Sequence, residues 1–375
     1  MNKKLALVAT TIGKGDFLYD YLKKIEEEKY PSENVAFYVI PDKKTPADVF
    51  KAAAEIGLRG IRMVCPTIEE QDHYLSRLGR IKNIIPYNSD NRRNIGYLMA
   101  VEQGAEVIIS IDDDNFPSPA HDFFGEHAQV NQVVKAPSLR SSTGWFNFCD
   151  LLEVDLPTTY PRGFPYSYRH RPTSVQRQEE EGIVHLNAGL WLGHPDIDAL
   201  NCLCAPAVSH SFKGESCLLD RGTWSPINTQ NTAISREAMP SYYFLKMGYP
   251  ILGMPIDRYG DIFSGFFIQA CVKHLGYRLR VGTPICDHRR NVHNYFKDLI
   301  NEIACITILE DLTLWITEQK LEGKDYFQVF LCLAGLLEDA VEGFSGLLWN
   351  DATRGYFHYM AYCMRIWVQT MKSFS

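Results

Sequence analysis

The sequence has no long hydrophobic run, and none is therefore expected to cross a membrane. Its longest apolar run near the C-terminus, Val329 to Leu337, falls well short of the roughly 20 residues needed to span a bilayer. The opening residues MNKKLALVATTIGKGDF put only a brief apolar run behind a basic start. No small-residue cleavage site follows, so they read as a first core strand and turn, not as a signal peptide. Basic excess is missing too. A formal net charge of −7 and a pI near 5.9 exclude an overall field for collecting duplex nucleic acid or anionic lipid; a local phosphate pocket stays open. The one tight cysteine pair, Cys202-Leu203-Cys204, has no second pair at metal-binding spacing. The 10 scattered cysteines therefore read as buried free thiols of a reducing cytoplasm. Gly13-Lys14-Gly15 is too brief for a phosphate loop, which counts against a nucleotidyltransferase. No internal repeat or low-complexity tract is visible. The expectation is a soluble, cytoplasmic protein.

What is present is a globular composition, 46% hydrophobic against 22% charged over 375 residues, enough for one large domain and an appendage. The first third alternates strand-like and helical segments. Strands are predicted at Leu5–Thr10, Val35–Ile40, Gly60–Cys65 and Glu106–Ile111, with helices at Asp16–Lys29, Pro46–Ile56, Thr67–Leu78 and Asn91–Gln103. Thr45 is the expected cap of the second helix and Pro46 its first residue. Strands separated in this way predict an α/β fold with a parallel, doubly wound sheet. The middle, about 137–260, is rich in Pro, Gly, Tyr and Arg and reads as strands and long loops built over the open edge of that sheet. Three helices are predicted at 295–319, 324–343 and 352–372. The expected division is a domain over 1–294 and a helical segment over 295–375 packed on it.

Chemistry concentrates at Asp112-Asp113-Asp114-Asn115, beyond the end of an apolar strand, where open α/β sheets bind ligands. Three adjacent carboxylates repel one another, and in an extended segment Asp112 and Asp114 share a face. Two hard oxygen donors suit Mg2+ or Mn2+ with a diphosphate completing the shell; the alternative is an acidic turn capping a helix that starts near Pro117. Arg92 and Arg93 stand at a helix N-terminus that could meet phosphate oxygens. The aromatic, proline-rich loop Tyr160–Arg169 projects Arg162 and Arg169 and suits a rigid sugar-site wall. Asp261 either caps the helix beginning at Ile262 or handles sugar hydroxyls, and His288 is either a third metal ligand or a loop histidine.

Taken in order, these segments resemble the reversibly glycosylated polypeptides, the UDP-arabinopyranose mutase family. The likeness runs through IDDD at 111–114, RGFPYSYR at 162–169, GLWLGHPDIDA at 189–199, RYGDIFSGFFIQACVKHLG at 258–276 and HRRNVHNYFKD at 288–298, and it covers nearly the whole chain. The resemblance implies a GT-A-like nucleotide-sugar-binding fold with a C-terminal helical extension, a UDP-sugar ligand, Mn2+ or Mg2+, no flavin, and self-association as a homo- or hetero-oligomer. It implies metal and diphosphate roles for the triplet and places Arg162 at the reversible sugar attachment. The expected assignment is Asp112, Asp114 and His288 for metal, Thr10, Asp42, Arg93, Asp113 and Asn231 for the nucleotide sugar, and Arg162, Asp261 and Arg169 for catalysis. The chain departs from the family at Asn115, where Cys is usual, at Gly260, where an Asp is usual, and across 202–226. The expected activity is pyranose–furanose interconversion of a UDP-sugar. The alternatives are transfer to an acceptor, with 202–226 shaping the acceptor site, and a non-catalytic sugar-nucleotide-binding subunit.

Overall fold

A computed structural model describes residues 3–290 and 294–374; the Asn291-Val292-His293 part of the last motif lies outside them. Alternation builds the first half. In β1 (Leu5–Thr11), Leu5, Leu7 and Ala9 pack with the apolar stripes of α1 (Phe17–Glu28) and α2 (Asp48–Leu58). Ala6 and Val8 pack on the other face with α3 (Ile68–Arg77) and α4 (Arg93–Glu102). β1 runs parallel to β2 (Val35–Pro41) on one side and to β4 (Val107–Ile111) on the other, and β3 (Arg62–Val64) lies outside β2. The sheet is doubly wound, and its strand order reverses between β1 and β4, which opens a crevice beyond their carboxyl ends.

Two expectations shift here. The second helix starts at Asp48, not Pro46. Thr45 does not cap it; its hydroxyl donates to the Thr11 carbonyl at 2.6 Å and accepts from the Asp42 N–H at 2.8 Å, tying the loop after β2 to the end of β1. Nor does the middle of the chain build over the sheet edge. It continues the same sheet, because Asn231–Ser235 pairs antiparallel with β4 and with the long strand Val175–Gly193. That strand pairs in turn with β6 (Val133–Ser141) and, in parallel, with Arg278–His288. At the far end Arg278–His288 meets β5 (Asn115–Pro117) antiparallel, with His288 opposite Asn115. No helix starts at Pro117; after β5 the short α5 spans Phe123–His127.

Later come α6 (Ala199–Cys204), α7 (Gly260–His274), α8 (Tyr295–Glu318), α9 (Tyr326–Gly343) and α10 (Asp351–Met371). Their apolar faces are spent inward. Leu309, Phe330, Phe357 and Trp367 belong to the same continuous core as Val8 and Leu98. Among the described residues no helix is long and apolar enough to cross a membrane. The ten cysteines are unbridged and seven of them are buried.

Candidate functional site

A cleft of about 440 Å³ occupies the switch point, walled by Thr10, Thr11 and Ile12 after β1, Asp42 after β2 and Asp112–Asp114 after β4. The acid triplet is a turn, closed by an Asn115 N–H to Asp112 carbonyl bond of 3.1 Å. Asp112 and Asp114 both line the cleft, but from a turn and not from the extended segment expected. Each acid finds its own partner: Asp112 meets Arg93 at 2.5 Å, Asp113 accepts from the Thr11 hydroxyl at 2.5 Å, and Asp114 lies 3.4 Å from Nε2 of His288. The mutual repulsion is offset residue by residue. Burial, followed by the neighbouring Asp114 and Asp112, leaves the Asp113 carboxyl above its ordinary pKa despite the Thr11 bond.

Arg93 is buried and reaches Ser110, Thr229, Thr10 and Asp112 with its two terminal nitrogens. Burial opposes its charge, but Asp112, Tyr97 and Asp90 together outweigh burial and raise its pKa above the ordinary value. Its neighbour Arg92 is turned to Gln71 and lies under the Tyr87 ring. Of the pair, Arg93 is the one engaged with the triplet.

His288 closes the strand Arg278–His288, and its Nδ1 donates to the His194 carbonyl at 2.6 Å. That bond turns Nε2 toward Asp114 and fixes the tautomer, the outer-shell pattern common to metal-ligating histidines. Asp287 plays no part in this orientation, since it pairs with Arg289 at 2.9 Å. The 3.4 Å between Nε2 and the carboxylate exceeds the ~2.7–2.9 Å of a charge-assisted hydrogen bond. Among the described residues no three His, Cys, Asp or Glu side chains converge to hold an ion unaided, because Asp112 is drawn off to Arg93. Asp114 and His288 fit a cation that takes few protein ligands and fills its shell with phosphate and water, the habit of Mg2+.

The same cleft is also lined by a buried ionic cluster. Arg162 forks onto Asp196, Nε–Oδ1 2.9 Å and Nη2–Oδ2 3.1 Å, and onto Asp261, Nη2–Oδ2 2.9 Å and Nη1–Oδ1 3.3 Å. It also donates to the Arg258 carbonyl. The five donors of a guanidinium are thus committed. Burial works against the charge, yet Asp196 and then Asp261 drive the Arg162 pKa well above its usual value. Burial lifts Asp261 although Arg162 opposes it, whereas in Asp196 the same guanidinium overcomes burial and the pKa falls. Asp261 lies in the first turn of α7, and its carboxylate faces Arg162 while also accepting from the Ile262 N–H at 2.9 Å.

Two expected site residues lie elsewhere. Arg169 is buried on Asp198 at 2.8 Å and on the Phe164 carbonyl, outside the cleft lining. It fixes the shape of the loop that carries Arg162. Asn231 is also outside the cleft, in the sheet, where its amide donates to the Leu190 and Pro284 carbonyls and its oxygen meets His127 at 2.9 Å. On the other side His127 Nδ1 faces the Asn187 amide at 3.1 Å. The ring is neutral, with Nε2 donating to Asn231 and Nδ1 accepting from Asn187. Burial pushes its pKa down to about 3. The unfolded chain takes up this proton near pH 6.5 and the folded one only near 3, so stability present above pH 6.5 is lost as pH falls between them. The loss is on the order of 1.4 kcal/mol per pH unit. His127→Gln should flatten this part of an acid-unfolding profile; an unchanged slope would remove His127 as its source.

The sequence reading missed Asp196, Asp198, Asn228 and Glu302. Asp196 and Asp198, two residues apart in HPDID, hold Arg162 and Arg169 respectively. Asn228 donates to Asp196 at 2.7 Å, and Glu302 of α8 holds Arg258 at 2.8 Å. Paired acids at 196 and 198 matching paired arginines at 162 and 169 are the signal available in the sequence. The segment 202–226, expected to shape an acceptor site in the transferase alternative, supplies none of the cleft's lining residues.

The family model described as reversibly glycosylated polypeptide matches residues 68–375. The chain belongs to that family. A probable UDP-arabinopyranose mutase 1 of Pisum sativum is 29% identical over 296 residues, covering 78% of this chain and 74% of that protein. UDP-arabinopyranose mutase 1 of Arabidopsis thaliana is 27% identical over 299 residues, with 78% and 75% coverage. Among solved structures, a mannosyltransferase of Pyrobaculum calidifontis in complex with GDP-Man and Mn2+ aligns over 100% of this chain and 88% of its own, at 12% identity and a TM-score of 0.39. The match to the reversibly glycosylated polypeptides takes in the triplet, Arg162, Asp196, Asp261 and His288, while β1, β2 and Asp42 precede it.

Proposed function

We propose that the chain is a metal-dependent enzyme that breaks the sugar–diphosphate bond of a UDP-sugar and re-forms it on a ring of different size, without flavin. One observation carries the reading: a single switch-point cleft is lined by both the Asp114–His288 pair and the Arg162–Asp196–Asp261 cluster. The family's relatives that bear the name UDP-arabinopyranose mutase point to a UDP-pentose, and the α/β cleft suits the GT-A manner of holding one.

Cleavage of the anomeric C–O bond leaves negative charge on the diphosphate and positive character on the ring. A divalent ion held by Asp114 and His288 would supply Lewis-acid stabilisation of the diphosphate. Asp113 and Thr11, with Thr10 and Asp42, form the wall for the nucleoside. In the Arg162 cluster, one guanidinium faces two acids, and these carboxylates stabilise positive charge on the ring. Arg162 is fully committed to those acids and acts as a positioning residue; its raised pKa disfavours attack on C1. Changing ring size turns a ring oxygen into a hydroxyl and a hydroxyl oxygen into a ring oxygen, so one proton must move between them. Asp261, with its raised pKa, is the group placed to relay it.

Incubation with UDP-arabinopyranose and Mn2+, followed by chromatographic separation of the nucleotide sugars, should yield the furanose form. Release of UDP only when an acceptor is supplied, with no furanose, would make the chain a transferase.

A further inference from the structure

A second cavity, about 570 Å³, lies apart from the cleft and shares no lining residue with it. It opens between the C-terminal turns of α7 and α8 and the loops that hold Trp145 and Trp224. Its size falls within the range of small-molecule sites, roughly 300–1,000 Å³. Arg221, Lys273, His274 and Lys320 line it, and no carboxylate does. Among the described residues none of these four forms a salt bridge. The nearest acid that acts on Lys273, Asp220, accepts from the Gly222 N–H and is outside the lining.

Lys273 is the informative residue. It is only 8% exposed, and a buried ammonium without a carboxylate is costly. Of its three N–H donors, one goes to the Thr223 carbonyl. The Trp224 ring, its centroid 4.1 Å from Nζ, supplies a cation–π face. Burial drags the pKa down to about 7. The helix macrodipole favours a cation in the last turn of α7, which accounts for His274. It does not account for Arg221, which sits on a loop, or for Lys273 reaching away from its own helix to Thr223.

We propose that this cavity is a second ligand site, taking a phosphate-bearing small molecule whose phosphate meets Lys273 and Arg221 and whose carbon skeleton lies against Trp224. Phosphate oxygens complete the donors that the protein leaves open, and they reverse the desolvation cost of the ammonium. Trp145 and Tyr168, whose rings pack 5.7 Å apart, extend the aromatic wall.

The test titrates the full chain with glucose 6-phosphate and, separately, with inorganic phosphate, by calorimetry and by tryptophan fluorescence. Three variants are compared with the parent: Lys273→Met, the surface pair Arg221→Ala/Lys320→Ala, and Asp114→Asn in the cleft. Saturable binding is expected in the parent and in Asp114→Asn, tighter for the sugar phosphate than for phosphate alone. Each charge-assisted bond removed should weaken it about tenfold, so the surface pair and Lys273→Met should both lose affinity. The surface pair carries the test should Lys273→Met fail to fold. Equal affinity in the surface pair and the parent overturns the proposal, as does an absence of saturable binding. Loss of binding in Asp114→Asn alone would return the ligand to the cleft.

Discussion

Replacing Arg162 with Met should destabilise the protein by about 3–5 kcal/mol and abolish turnover. Among the described residues the guanidinium is the one cation that ion-pairs with both Asp196 and Asp261, and all three side chains are buried. Removing one member of a buried ionic set leaves uncompensated charge, and that is where the large loss comes from. The remaining acids would have to take up a proton, so stability would fall further as pH rises. Arg162→Lys separates the two roles. An ammonium keeps the charge but cannot reproduce the double fork, so much of the folding stability should return while turnover stays at least about a hundredfold down. Urea unfolding alongside the nucleotide-sugar assay reads both quantities. Full turnover in Arg162→Lys would show that the geometry of the fork is dispensable. Parental stability in Arg162→Met would show that the acids are already neutral.

The second large effect concerns the coupling of nucleotide to metal. In the parent, Mn2+ should tighten UDP binding at least tenfold. Asp114→Asn and His288→Ala should each erase most of that gain, because loss of a ligand or its support usually costs about 10–100-fold in metal affinity. Asp112→Asn should behave differently. Asp112 is held by Arg93, so its loss releases that guanidinium and alters affinity with and without metal alike. Calorimetric titration of UDP with and without Mn2+ distinguishes the cases. Equal metal enhancement in the parent and in both ligand variants would defeat the assignment of Asp114 and His288.

The parallel half of the fold was readable because its signals are local. Leu5, Leu7 and Ala9 alternate with Ala6 and Val8, helical stripes follow, and the acids come directly after an apolar strand. Local pattern also located the three C-terminal helices, whose spans fell within a few residues. What failed depended on pairing between distant segments. Nothing near residue 112 reveals that Arg93 will claim it, so the triplet looked like a free ligand set. Nothing near 231 distinguishes an amide satisfied by Leu190, Pro284 and His127 from one that faces a nucleotide. Arg169 and Arg162 look alike within RGFPYSYR. Only the partners Asp198 and Asp196, about thirty residues on, separate a loop brace from a cleft residue. His288, open between a metal ligand and a loop histidine, closes a strand, because Arg278–His288 continues through Pro284.

The register that places His288 opposite Asn115 also sets when the protein becomes competent. The donor at 114 emerges early in synthesis, but its imidazole neighbour arrives only with the last strand of the sheet, and the brace on Arg258 comes later still, from Glu302 in α8. On the function proposed above, a nascent chain that stops short of these residues has Thr11 and Asp113 without the Asp114–His288 pair, so capture of metal and substrate would wait until the long-range seam of the sheet has closed.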